Sequence, residues 1–253
     1  MCKLAVFLFA TRQTRQRMAA LFLPSDYPRI KVVKSFDELV GTPFASGINA
    51  LCWQRELDGD FGEVIRQLTV KEGITTLDEA ALSNLALSGN GKNAVAAMLK
   101  DLRLLRNTGL DPVLDCINGY LRDDREGPIL TDVYSFHADS SPVATDTYLC
   151  TYHGASSEGL RNDQALRKVD IPEIRAALLE SFGGTDDEAF REYLSECCYD
   201  LHYAHIEAAQ PFSFGIGNLW RIAVEYPESP VPPCIHRAPQ TQPDAPSRLL
   251  LIS

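Results

Sequence analysis

No glycine-rich turn joins a strand to a helix in this sequence, so dinucleotide-binding and phosphate-cradling readings lack their motif. A GxSxG elbow is also missing, and none of the seven cysteines is singled out with a histidine partner. Both absences leave hydrolase chemistry with little support. No CxxC spacing repeats, and seven is an odd count, which argues against a disulfide framework and against a zinc ribbon. Reduced thiols in a cytoplasmic enzyme are the simplest expectation.

Positive charge is scarce. The chain has 24 Lys and Arg against 34 Asp and Glu, a net charge of -10. That average field repels a phosphate backbone, so a nucleic-acid partner is not expected. Arg12, Arg15 and Arg17 form a short local run that reads as a solvated helix face. Long apolar runs are missing too. Residues 4–10 are apolar behind Lys3, but Thr11-Arg12-Gln13-Thr14-Arg15 follows where a cleavage site would need small residues. No other stretch approaches a membrane span, so neither export nor membrane insertion is expected.

What is present suits a folded domain: 253 residues, 45% hydrophobic and 23% charged. The first half reads mainly as helix. Ser35 with Glu38, and Thr76 with Glu79, have capping-box spacing ahead of apolar periodicity. Val95, Met98, Leu102 and Leu105 recur at helical intervals until Gly109 and Asp111-Pro112 supply a stop. Residues 129–137 and 146–152 then turn β-branched and aromatic between turn residues, as strands do. Pro172 suits a first helical turn, and Thr185 with Glu188 makes a third capping box before Phe190, Leu194, Cys197 and Leu201. Strands resume at 219–225, 234–238 and 248–252, each set off by glycine or proline. The expectation is an α+β chain forming one structural unit. A helical support region (1–128) packs on a sandwich or barrel core (129–253) that carries a helical insertion at about 172–206.

The chemistry-bearing residues lie in that second half. His137 and Asp139 are two apart at a strand end, where they can share a face and offer an imidazole and a carboxylate to one divalent metal. His236 stands on a late strand within Pro233-Cys234-Ile235-His236-Arg237-Ala238-Pro239. Arg248 opens the apolar strand Arg-Leu-Leu-Leu-Ile. An arginine facing a core implies an anionic ligand or an internal acid, because burying the charge alone is costly.

His137, Asp139, His236 and Arg248, in this order, resemble the HxD…H…R pattern of the iron(II)/2-oxoglutarate-dependent oxygenase superfamily. The resemblance covers roughly residues 129–253 and implies a double-stranded β-helix, or jelly roll. It also implies iron(II) on His137, Asp139 and His236, and Arg248 on the distal carboxylate of 2-oxoglutarate. Dioxygen is then consumed, and succinate and carbon dioxide are released as a small polar metabolite is oxidised, most simply hydroxylated. Halogenation is disfavoured because Asp139 keeps the carboxylate ligand. Two alternatives stand beside this one: an iron oxygenase of similar fold in which Arg248 holds the substrate's own carboxylate, and a non-enzymatic metal- or ligand-binding jelly roll.

Lesser candidates complete the set. Arg161 and Asn162 sit in a polar loop and are expected substrate contacts, while Tyr134 and Trp220 are core aromatics that can line a cavity. His153 reads as a polar strand terminus. Cys198, His202 and His205 fall at helical i, i+4 and i+7 spacing, but no fourth ligand accompanies them, and a solvated or packed helix face is expected there.

Overall fold

The structure is a computed structural model that describes residues 23–120, 122, 127–240 and 245–253. The apolar run at 4–10 and the arginines at 12, 15 and 17 lie outside the described residues. The first half of the chain forms β1 (Ile30–Val33), α1 (Phe36–Gly41), β2 (Ala50–Trp53), α2 (Phe61–Gln67), β3 (Gly73–Thr76), α3 (Glu79–Ser83), α4 (Gly89–Arg106) and β4 (Val113–Asn118). Next come β5 (Phe136–His137), β6 (Asp146–His153), β7 (Glu158–Leu160) and β8 (Ala165–Arg167). Helices α5 (Pro172–Phe182) and α6 (Glu188–Glu196) precede β9 (His202–His205), β10 (Phe212–Ser213), β11 (Leu219–Ala223), β12 (Ile235–Arg237) and β13 (Arg248–Ile252).

Among the described residues the architecture is mixed α+β, with six α-helices and two largely antiparallel sheets, compatible with a β-sandwich or jelly roll. One sheet runs β1-β2-β11-β6-β13-β4-β3 and the other β10-β7-β12-β5-β9-β8. The only parallel pair among the named strands is β1 with β2. The first half is therefore not helix alone, since it supplies β1 to β4 to the larger sheet. Three of these four strands are only four residues long, too short to show a period beside the helical stripes around them.

Alternation along the strands sorts the core into two layers. On β13, Leu249 and Leu251 join Tyr148, Cys150 and Tyr152 of β6 under α4, whose buried face includes Val95, Met98, Leu102 and Leu105. Leu250 of β13 and Leu149 of β6 turn the other way, onto Phe212, Phe214 and Cys234, together with Trp220 and Ile222 of β11. By the same two-residue period, Thr147, Leu149 and Thr151 share one face of β6, and Arg248 shares the inter-sheet face of β13 with Leu250. That face positions the site.

Several local devices differ from expectation. Ser35 does cap α1, but Glu38 reaches back to the amide of Lys34. Thr76 ends β3 and donates its hydroxyl to Asp115, leaving Asp78 to cap α3. Thr185 donates to Asp187, and Asp187 caps α6. In both cases an aspartate two residues on satisfies the helix amides with a charged acceptor. The helical insertion ends at Glu196. Cys198 takes a left-handed conformation (φ 57°), and the chain then passes through a 3₁₀ turn into β9. Among the described residues no helix is long and apolar enough to cross a membrane.

Candidate metal centre

Strand pairing brings the two histidines together. His137 on β5 faces His236 on β12 in antiparallel register, with ring centroids 4.7 Å apart. Asp139 lies two residues past the end of β5; its carbonyl accepts from the Glu225 amide, which ties it to the chain leaving β11. Among the described residues this is the one His/Cys/Asp/Glu group compact enough to hold a metal ion, with three ligand atoms within 4.8 Å of one another.

Hydrogen bonding aims the donors inward. A carbonyl oxygen can only accept, so Nδ1–H of His137 donates to the Ser135 carbonyl at 2.8 Å, and Nδ1–H of His236 points at the Cys234 carbonyl at 3.4 Å. Each Nε2 then carries its lone pair toward Asp139, whose Oδ1 lies 3.7 Å from His137 and 3.8 Å from His236. Those gaps are too long for direct hydrogen bonds. Two ligand bonds of about 2.0–2.2 Å can meet across them. The remaining carboxylate oxygen, Oδ2, accepts from the Thr147 hydroxyl at 2.6 Å.

Protonation states agree with this. Burial, with His236 beside it, pushes His137 down to about 4, so near neutral pH its imidazole is uncharged and able to ligate. Burial alone would raise Asp139, but His236, the Thr147 hydroxyl and His137 outweigh it and hold the carboxyl below its ordinary value. Two imidazole nitrogens and one carboxylate are a donor set that can hold a divalent metal ion.

Arg248 lies on the same inter-sheet face and is 3% exposed. Its Nη1 donates to Tyr120 Oη at 2.8 Å, and its Nη2 to Thr151 Oγ1 at 3.1 Å and Ser157 Oγ at 2.6 Å. Nε is buried without a partner, and among the described residues no carboxylate pairs with the guanidinium. Burial lowers its pKa from the ordinary arginine value. Arg248, Tyr120, Tyr134, Asn118, Arg122 and Ser247 are among the residues lining a cavity of about 310 Å³. Strand β6 links this group to the metal cluster, with Thr147 bonded to Asp139 and Thr151 to Arg248. Four residues at about 3.3 Å each place those two anchors roughly 13 Å apart along one strand face.

The other expected residues are placed as follows. Tyr134 lines the Arg248 cavity, and its hydroxyl accepts from the Tyr120 amide. Trp220 is fully buried and donates to the Phe214 carbonyl at 2.7 Å; Phe214 stacks between it and His236. Arg161 pairs with Asp26 and Asp163 and lies over Tyr27. Asn162 accepts from Tyr27 and Asn49 and donates to the Pro233 carbonyl. Both therefore fasten the segment around Tyr27 to the sheets.

Cys198, His202 and His205 do not form a helix face. His202 and His205 lie on β9, where His202 pairs with His137. Sequence reasoning missed Thr147, Tyr120, Thr151 and Ser157. They are hydroxyl residues that became informative only once pairing set their faces, although Thr147 and Thr151 on one face of a single strand were a readable signal. Comparison with protein-family models, with curated proteins and with solved structures gives no match to this chain.

Proposed function

We propose that this chain is a non-haem iron(II)- and 2-oxoglutarate-dependent oxygenase, built on a jelly roll, that hydroxylates a small polar metabolite. One observation carries the reading. A buried guanidinium with no carboxylate partner among the described residues faces the same inter-sheet layer as a His-Asp-His cluster whose lone pairs converge. Leaving a cation in that state costs several kcal/mol unless an anion completes it.

His137, Asp139 and His236 would hold the iron and leave its other positions free. When bound, iron(II) supplies the redox chemistry of the overall reaction R–H + 2-oxoglutarate + O₂ → R–OH + succinate + CO₂. The rest is done by the chain's own groups. Arg248 binds a carboxylate, and the hydroxyls of Tyr120, Thr151 and Ser157, having accepted from Arg248, keep their own hydrogens to donate to the same anion. The cavity of about 310 Å³ beside Arg248 has room for a small carboxylate-bearing ligand. Apolar residues of the inter-sheet layer, Phe214 and Trp220 behind His236 among them, exclude water from one side of the centre. The net charge of -10 favours a small metabolite over a nucleic acid as substrate.

The test is incubation of the protein with iron(II), 2-oxoglutarate and oxygen across a panel of small metabolites, following succinate. Succinate formation that is lost in His137→Ala and Asp139→Ala supports the reading. Iron binding without any 2-oxoglutarate binding would favour an oxygenase in which Arg248 holds the substrate. Metal binding with no turnover of any kind would favour a binding protein.

A further inference from the structure

Asp139 offers two oxygens, and the structure treats them differently. Oδ1 faces both imidazole Nε2 atoms at 3.7 and 3.8 Å, whereas Oδ2 turns away and accepts from Thr147 at 2.6 Å. Thr147 is 9% exposed and fixed in β6, where it pairs with Ile222 of β11. Its β-branched side chain has restricted rotamers, and its backbone is held by the central part of the larger sheet. The hydroxyl is therefore a rigid clamp, while Asp139 lies beyond the end of β5 with its backbone held by Glu225, and the rotation of its carboxylate is set by side-chain contacts such as that with Thr147.

We infer that Thr147 is a positioning residue that locks Asp139 as a one-oxygen metal ligand. An unrestrained carboxylate can rotate and present both oxygens to a metal. Occupying Oδ2 with a strong, charge-assisted hydrogen bond prevents that rotation and keeps one more coordination position open for small molecules. The inference rests on the metal-centre reading and adds to it a residue outside the ligand set.

Thr147→Val keeps the shape and strand preference but removes the hydroxyl, and Thr147→Ser restores the hydroxyl without the methyl. Manganese(II) affinity, measured by titration of the metal-free protein, is expected to fall roughly 10- to 100-fold in Thr147→Val, the usual effect of losing such an outer partner. Thr147→Ser is expected to recover most of it. The visible spectrum of the cobalt(II)-loaded protein reports coordination number, and it should weaken in Thr147→Val as the carboxylate attaches through both oxygens. A lowered thermal midpoint with unchanged manganese affinity and cobalt spectrum overturns the inference, since Thr147 would then only pack. Wild-type protein that binds neither metal overturns the centre itself, a different result from Thr147→Val matching a wild type that binds.

Discussion

Arg248 is the residue whose surroundings ask most for a ligand. Its three hydroxyl partners stabilise the guanidinium but do not neutralise it. If the distal carboxylate of 2-oxoglutarate completes the site, removing the cation forfeits a buried charged pair, on the order of 3–5 kcal/mol. At 1.4 kcal/mol per factor of ten, Arg248→Ala should bind 2-oxoglutarate roughly a hundredfold or more weakly. Arg248→Lys should recover part of the affinity, since the charge survives without the planar fork. Anaerobic titration of the iron(II) protein checks both, and equal binding by wild type and Arg248→Ala would refute the assignment. These residues were readable in the sequence because their types are costly to bury without a reason: two histidines on short strands, an aspartate just past one of them, and an arginine opening an apolar run. The hydroxyls around them were not, because threonine, serine and tyrosine occur in strands for packing as often as for bonding, and only the register separates the two uses.

Strand and helix boundaries followed the same division. β13 lies at 248–252 as its apolar run implies, and α4 carries the stripe from Val95 to Leu105. The two-residue β5 and β10 have no periodicity to read, and β9 has helix-like histidine spacing that cross-strand pairing overrides. Gly159 shows how tightly such short strands pack. In the middle of β7 it pairs with His236 on one side and Phe212 on the other, and an added Cβ would lie 2.2 Å from the Phe212 ring. That ring cannot move freely, because it stacks on Phe214 at 5.8 Å and contacts Trp220 at 6.5 Å. Gly159→Ala is therefore expected to destabilise the protein by about 1–3 kcal/mol through overpacking. The denaturant midpoint measures it, and an unchanged midpoint would mean that the inter-sheet layer is looser than its ring contacts imply.

The two sheets meet across a layer that holds unlike chemistry at its two ends. The two histidine ligands come from β5 and β12 of the smaller sheet and Asp139 from the loop just after β5, while Arg248 and its Thr151 partner belong to the larger sheet. Ser157, two residues before Gly159, crosses between them by accepting from Arg248 at the edge of β7. A metal with a chelating dicarboxylate would consequently join the sheets from within, and the unfolded chain, in which these groups are scattered, cannot bind it in that way. Ligands that bind the native state alone stabilise it by about 2.7 kcal/mol at a hundred times their dissociation constant. For a chain of this size each kcal/mol raises the melting temperature by about 2–4 °C, so saturation should raise it by roughly 5–10 °C. Manganese(II) and 2-oxoglutarate together should give a larger rise than either alone, because the dicarboxylate gains a second anchor when the metal is present. His137→Ala and His236→Ala should abolish the metal-dependent part. Arg248→Ala should keep the metal-dependent rise and lose the increment from 2-oxoglutarate, since the residue lies outside the ligand set. A scan in which the increment survives Arg248→Ala would place the dicarboxylate elsewhere and disconnect the two ends of the layer.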